Sequence, residues 1–162
     1  MEVGIIGLGK MGGNMALRLL QGGHRVRVTD IDAEARERMA EGGALASADP
    51  ADLVAQLPAP RVVWLMLPAG GVTEGVVAEL LPLLSPGDVL VDGANSFWKD
   101  SLRRAEAASE LGVHFVDCGV SGGVWGLESG YNLMVGGSSE SFERLRPLLE
   151  TLAASNGYLH TG

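Results

Sequence analysis

The chain has 162 residues, 46% of them apolar, and a formal net charge of −8. This length and apolar content predict one soluble domain with its own core, and the acidic balance argues against nucleic acid or an anionic membrane surface as a partner. The single cysteine excludes an internal disulfide and argues against a cysteine metal site, and the absence of a basic leader and of long apolar runs leads us to expect a cytoplasmic protein without bound metal.

The first segment has the pattern of a nucleotide-binding turn. An apolar strand beginning at Val3 leads into Gly7-x-Gly9-x-x-Gly12 and then into a helix with an apolar stripe. In this motif Gly7 allows a sharp turn, Gly9 lets backbone approach a pyrophosphate, and Gly12 lets the helix lie close to the sheet. The helix N-terminus and Lys10 add positive charge. The segment therefore predicts a dinucleotide site.

A second strand, Val26 to Thr29, ends at Asp30, which lies 18 residues after Gly12. A carboxylate there can accept hydrogen bonds from the adenosine ribose hydroxyls, and its charge repels the 2′-phosphate of NADP, so NAD is the expected cofactor and NADP the less favoured one. The alternative is that Asp30 only starts the turn into the next helix. Asp32 fits the N-cap of that helix, which leaves Asp30 free for the ribose.

Further strands and helices alternate along the rest of the chain. The pattern predicts helices over 32–41, from 50, and over 72–84, 97–111 and 139–153, and strands over 62–67, 89–91, 113–116, 132–135 and 158–160. This alternation predicts a Rossmann-type α/β fold over residues 1–162, with a doubly wound, mainly parallel sheet and helices on both faces. Ligands bind at the carboxyl ends of the strands in such sheets.

Two later segments are candidates for contact with a second ligand. Residues 117–130 contain five glycines and Ser121, and a loop of this kind can wrap an anion with backbone N–H groups, or it can be an ordinary flexible turn. In the segment 92–96, Asn95 can offer its amide to a ligand, or it can make the turn and leave Ser96 to cap the next helix.

Three segments together resemble 6-phosphogluconate dehydrogenase over the whole chain. They are Gly-Leu-Gly-Lys-Met-Gly at 7–12, Asp-Gly-Ala-Asn-Ser at 92–96, and the Trp125-containing stretch 116–137. The closest similarity is to the short, NAD-preferring, decarboxylating branch. Ala94 replaces a usual glycine and Pro68 replaces a lysine common in the longer branch; the second departure fits a change of cofactor.

The resemblance implies specific roles for residues of this chain. For the cofactor it implies Gly7, Leu8, Gly9, Lys10, Met11, Gly12, Asp30, Leu67, Pro68, Ala69 and Asn95. For the substrate, a phosphorylated sugar acid, it implies Asn95, Ser121, Gly122 and Gly123. The implied reaction, part of the pentose phosphate pathway, oxidises and decarboxylates 6-phosphogluconate to ribulose 5-phosphate.

The family's catalytic lysine has no counterpart here. Lys10 belongs to the nucleotide turn and Lys99 to a predicted helix. His160 would lie near the ligand edge only if the last strand ran parallel to the others. We therefore expect no catalytic residue within 1–162 and an inactive, monomeric domain that lacks the helical substrate and dimerisation half of a homo-oligomeric enzyme. Two alternatives remain, a 3-hydroxyisobutyrate-type dehydrogenase and a stand-alone NAD-binding module without chemistry.

Overall fold

A computed structural model describes all residues from Met1 to Gly162 as one mixed sheet covered by helices. The strands are β1 Glu2–Ile6, β2 Arg25–Thr29, β3 Leu45–Ala46, β4 Val62–Leu65, β5 Val89–Asp92, β6 His114–Ser121, β7 Tyr131–Gly136 and β8 Ala153–His160. The helices are α1 Lys10–Gln21, α2 Ala33–Glu41, α3 Pro50–Gln56, α4 Gly71–Leu80, α5 Trp98–Glu110, α6 Gly126–Ser129 and α7 Ser139–Leu152.

The order of the strands confirms the predicted fold. The sheet runs β3-β2-β1-β4-β5-β6-β7-β8, and every pair from β3 to β6 is parallel. The first six strands have the order 3-2-1-4-5-6 of a dinucleotide-binding sheet. Its chain reversal lies between β1 and β4, so the predicted nucleotide turn sits at the point where such sheets bind ligands.

The apolar strands form a core on both faces of the sheet. In β4, Trp64 belongs to a cluster of 26 buried residues that also contains α1 and α7 side chains. Its neighbours Val63 and Leu65 belong to a second cluster of 13 residues under α3 and α4. Because side chains alternate between the faces of a strand, a continuously apolar strand is what a sheet covered on both sides requires. No helix is both long and apolar enough to cross a membrane.

The predicted glycine-rich loop after residue 116 was partly wrong. Strand β6 continues to Ser121, five residues beyond the predicted end, although β5 pairs with it only as far as Asp117. The extension occurs because β7 runs antiparallel to β6 and pairs with residues 117–121. The loop therefore begins at Gly122, and it is not an open turn, since it folds into a 3₁₀ turn over Gly123–Trp125 and then into α6.

Other boundaries differ by a few residues. Helix α4 ends at Leu80, and the expected remainder forms a 3₁₀ turn, because Pro82 has no N–H with which to continue an α-helix. The two-residue strand β3 was not predicted, and β8 has eight residues where three were expected. The predicted cap at Asp32 is confirmed, since its carboxylate accepts from the Glu34 N–H, and Asp49 caps α3 in the same way by accepting from the Asp52 N–H.

Candidate functional site

The turn between β1 and α1 is shaped by close backbone packing. Gly7 has a φ of +97°, and a Cβ built on it would lie 2.4 Å from the Met66 carbonyl oxygen. A Cβ on Gly12 would lie 2.0 Å from the Gly7 oxygen. Both positions are closed to a side chain by the protein itself. The absence of side chains at Gly7 and Gly12 lets the N-terminus of α1 pack closely against the ends of β1 and β4.

Gly9 differs from its two neighbours in the motif. A Cβ built there meets no atom within 4 Å, and its φ of −58° is accessible to any residue. Nothing in the protein fills the space in front of this residue. A glycine at such a position keeps backbone accessible from outside, which is the requirement for close approach of a pyrophosphate.

The first turn of α1 presents free hydrogen-bond donors beside that space. Gly9 is the N-cap and offers no side chain, and the first N–H bonded to a carbonyl is that of Gly13, which donates to Gly9 at 2.8 Å. The N–H groups of Lys10, Met11 and Gly12 therefore have no partner. Together with the helix dipole and the exposed Lys10 ammonium, they form a donor set suited to an anion.

The Asp30 carboxylate is held at this turn by two backbone donors. Its Oδ2 accepts from the Leu8 N–H at 2.5 Å, and its Oδ1 accepts from the Asp32 N–H at 2.9 Å. A carboxylate has about four acceptor positions, so two remain for hydroxyl groups. The sequence placed Asp30 near the turn, and the structure brings the two into contact.

A groove of about 450 Å³ runs past these residues. Five predicted cofactor residues line it: Gly7, Gly9, Asp30, Leu67 and Pro68. Pro68 is fixed through its carbonyl, which accepts from the buried Thr73 hydroxyl at 2.8 Å. Ala69 is exposed just beyond Pro68 and does not line the groove. Leu8 and Lys10 line a second cleft, of about 530 Å³, which shares Gly9 and Asp30 with the groove.

The apolar wall of the 450 Å³ groove was missed by the sequence reasoning. Ile31 is fully exposed, at 102%, and lines this groove with Pro50, Val72 and Val76. A large aliphatic side chain directly after the carboxylate of β2 was the available signal for Ile31. The other three come from α3 and α4, and only the tertiary fold brings them together.

The predicted substrate residues lie away from this groove. Asn95 is exposed on the turn after β5, in the left-handed region with a φ of 56°. Ser121, Gly122 and Gly123 are exposed at the end of the neighbouring strand β6. The two sets share the carboxyl edge of the parallel strands.

Of the alternatives left open for residues 92–96, the helix cap by Ser96 is not formed. The N-cap of α5 is Phe97, without a side-chain hydrogen bond, whereas the Ser96 hydroxyl donates to the Asp92 carboxylate at 2.8 Å. Asp92 is almost completely buried. A hydrogen bond from the Ser96 hydroxyl to this charged carboxylate is stronger than the bond that the hydroxyl would form with a neutral N–H at the helix terminus. The serine is therefore part of the turn that carries Asn95.

Lys99 and His160 do not line the groove. Lys99 is exposed with its Nζ 5.5 Å from the Trp98 ring centroid. Strand β7 is antiparallel to β6, and β8 is parallel to β7, so β8 runs in the opposite direction to β1–β6. His160 would lie near the ligand edge only if β8 ran in the same direction as those strands, and this condition is not met. The His160 ring stacks on Phe142, and its Nε2 lies 2.8 Å from the Gly137 oxygen. Burial raises the pKa of the Cys118 thiol to about 12, so it is not a nucleophile at neutral pH.

Residues 2–162 match the family model described as the NAD-binding domain of 6-phosphogluconate dehydrogenase. The chain belongs to this family. It is 42% identical over 163 residues to the NAD⁺-dependent, decarboxylating 6-phosphogluconate dehydrogenase of Haloferax volcanii. The alignment covers all of this chain and 54% of that relative, so the chain spans about half of its length.

Solved structures of two related enzymes have the same fold as this NAD-binding domain. The 6-phosphogluconate dehydrogenase of Plasmodium falciparum, studied with NADP⁺ and with 6-phosphogluconate, superposes with a TM-score of 0.92 at 28% identity over 100% of this chain and 37% of its own. The 3-hydroxyisobutyrate dehydrogenase of Mycobacterium tuberculosis superposes with a TM-score of 0.90 at 30% identity, over 99% of this chain and 54% of its own. Family membership establishes an NAD(P)-binding domain of oxidoreductases.

Proposed function

We propose that this domain binds NAD in preference to NADP and serves a decarboxylating 6-phosphogluconate dehydrogenase. The observation that carries the proposal is the helix end at Gly9, where three unpaired N–H groups stand beside an open space and next to the Asp30 carboxylate. Donors there suit the pyrophosphate, and the free acceptor positions of Asp30 suit the ribose hydroxyls. The apolar groove beside Ile31 offers room for the adenine.

The preference for NAD is supported by the charges around Asp30. A 2′-phosphate at the ribose would meet this carboxylate, and the two nearby arginines already have acceptors. The Arg36 guanidinium donates to the Asp30 carbonyl, and Arg38 lies 3.9 Å from Asp32 and 3.8 Å from Glu34. Binding of NADP would require these pairs to rearrange.

Bound in this domain, NAD would supply a hydride acceptor for the secondary alcohol of the sugar acid. The chain's own residues bind and orient: the β1–α1 turn holds the cofactor, Asn95 contacts nicotinamide and substrate, and Ser121 with Gly122 and Gly123 holds the substrate near its carboxylate. Decarboxylation needs an acid and a base. We propose that residues 1–162 supply neither and that the isolated domain therefore binds cofactor without turnover. We also propose that this domain alone is a monomer and that the whole enzyme is a cytoplasmic homo-oligomer of the pentose phosphate pathway.

The test is calorimetry of NAD and NADP with the wild-type domain, Asp30→Ala and Asp30→Asn. We expect the wild type to bind NAD more tightly. Asp30→Ala should narrow the difference, and Asp30→Asn should raise NADP affinity, since it removes the charge and keeps an acceptor for the Leu8 N–H. Asp32→Ala is the matched control, because this nearby carboxylate caps α2. Equal wild-type affinities would refute the ribose role.

A second candidate activity is that of a 3-hydroxyisobutyrate-type dehydrogenase, favoured by the structural likeness at a TM-score of 0.90. Assays of the complete protein that contains this domain would separate the two. NADH formation with 6-phosphogluconate, accompanied by release of CO₂, supports the first proposal. NADH formation with 3-hydroxyisobutyrate alone supports the second. Cofactor binding without either activity supports a non-catalytic module.

A further inference from the structure

A buried ion pair lies beneath the turn that carries Asn95. Asp92 ends β5 and Arg104 lies in the middle of α5; their side chains are 0% and 2% exposed, and Arg104 Nη1 is 2.8 Å from Asp92 Oδ2. Burying both charges carries a desolvation cost that a pair of apolar residues would avoid. The pair has no part in the cofactor contacts described above.

Asp92 and Arg104 form hydrogen bonds to the residues on both sides of Asn95. Asp92 Oδ1 accepts from the Ala94 N–H at 2.9 Å, and Oδ2 accepts from the Ser96 hydroxyl at 2.8 Å. Arg104 Nη1 also donates to the Ser96 oxygen at 2.8 Å. The residues before and after Asn95 are therefore tied to one buried carboxylate.

Asn95 itself needs such support. Its φ of 56° lies in the left-handed region, where asparagine is tolerated but not preferred, and its side chain is exposed. The start of the turn is also fixed, because a Cβ on Gly93 would lie 2.7 Å from Trp64 Nε1 and 2.8 Å from the Leu65 oxygen. The carboxamide is thus presented by a turn whose other residues are anchored.

Arg104 has a further hydrogen-bond partner in helix α4. Arg104 Nε donates to Glu74 of α4 at 2.9 Å, and the neighbouring Arg103 pairs with the same carboxylate. This link joins α5 to α4, whose Val72 and Val76 line the proposed cofactor groove. The guanidinium therefore has a defined position relative to both the turn and the groove.

We propose that Asp92, Ser96 and Arg104 form a positioning network that holds the Asn95 carboxamide ready for the nicotinamide end of the cofactor. The inference rests on the proposed function, because only that function assigns Asn95 to the cofactor site. None of the three residues touches the cofactor. Their effect passes through the backbone of residues 94–96.

The experiment compares two ligands in the wild-type domain and in variants. ADP-ribose contains the pyrophosphate and ribose portion of NADH but not the nicotinamide, so it reports on the β1–α1 turn alone. Ser96→Ala removes one hydroxyl and leaves the ion pair in place, which preserves folding. Asn95→Ala removes the carboxamide itself. Ser109→Ala, at an exposed position of α5, is the matched control.

Ser96→Ala and Asn95→Ala are each expected to weaken NADH binding about 3- to 10-fold by calorimetry, the loss of roughly one hydrogen bond, and to leave ADP-ribose binding within about 2-fold. The double variant should lose no more than Asn95→Ala alone, since both changes remove the same contact. Ser109→Ala should bind both ligands normally.

Three results would overturn the proposal. Unchanged NADH binding in Ser96→Ala would show that the hydroxyl does not position Asn95. Equal losses for NADH and ADP-ribose, or additive losses in the double variant, would assign the cluster a structural role only. In these cases the wild-type domain still binds ADP-ribose and NADH and the proposed function stands. If the wild type bound neither ligand, both proposals would fail together.

Discussion

Replacing Gly9 by alanine should separate folding of the domain from cofactor binding. The added methyl group would meet no protein atom within 4 Å, and the backbone at Gly9, with φ −58° and ψ −176°, is open to alanine. Gly9 is an N-cap, where alanine is somewhat less favourable than glycine, so we expect a loss of at most about 1 kcal/mol in the free energy of unfolding. This corresponds to a fall of roughly 2–4 °C in Tm.

The effect of Gly9→Ala on binding should be much larger. The methyl group would occupy the space through which a pyrophosphate reaches the unpaired N–H groups of α1. Loss of one hydrogen bond to a charged group costs about 1.5–3 kcal/mol, or roughly 10- to 150-fold in Kd. Calorimetry with NAD measures the affinity, and circular dichroism on heating measures Tm.

Two other glycines provide the controls. Gly12→Ala places its methyl group 2.0 Å from the Gly7 oxygen, so the backbone must move, and we expect destabilisation of about 3 kcal/mol or more. Gly75→Ala, in α4, meets nothing within 4 Å and should stabilise the helix by about 0.5–1 kcal/mol without affecting binding. If Gly9→Ala bound NAD as tightly as the wild type, no phosphate group would pass this residue and the site assignment would be wrong.

Three further outcomes are expected. Asp88→Ala should destabilise the fold by about 3–5 kcal/mol in urea unfolding, because this fully buried carboxylate accepts from the Arg61 N–H at 2.6 Å and pairs with its guanidinium; a loss below about 1 kcal/mol would contradict this. Cys118, with its pKa raised to about 12 by burial, should react with a thiol reagent only after unfolding, and rapid labelling of the native protein would disprove its burial. The hydrogen bond from Arg103 lowers the pKa of Glu74 to about 2, so the ionised carboxylate stabilises the fold fully above its ordinary pKa of 4.5, and this stabilisation is lost as the pH falls from 4.5 towards 2. The Tm difference between wild type and Glu74→Gln should therefore shrink over that pH range. A constant difference would exclude the ion pair as the source of the stabilisation.

The sequence predicted those parts of the site that depend on neighbouring residues. The turn, the helix behind it and Asp30 lie within the first 30 residues, and the glycine spacing reports local backbone constraints directly. The parallel strands were recognisable for a similar reason, since a strand covered on both faces must be continuously apolar.

The sequence failed where distant segments compete for the same groups. The length of β6 depends on pairing with β7, and the Ser96 cap, one of two open alternatives, is not formed because the hydroxyl bonds to Asp92 and Arg104 instead. Arg104 lies eight residues beyond Ser96, and β7 begins only after α6, so neither is apparent from the residues next to the affected segment. The apolar wall around Ile31 likewise combines elements that meet only in the folded sheet.

Helix α1 connects the two glycine-rich segments. Its N-terminus forms the proposed phosphate site, and further along the same helix Arg18 donates to the carbonyl oxygens of Leu127 at 3.0 Å and Thr151 at 2.8 Å. Asn14 donates to the Val124 carbonyl at 3.3 Å. The segment that follows Ser121 is therefore attached to the helix that begins at the nucleotide turn. The proposed hydride transfer requires a fixed distance between cofactor and substrate, and a single helix sets the relative position of the two loops to which that proposal assigns them.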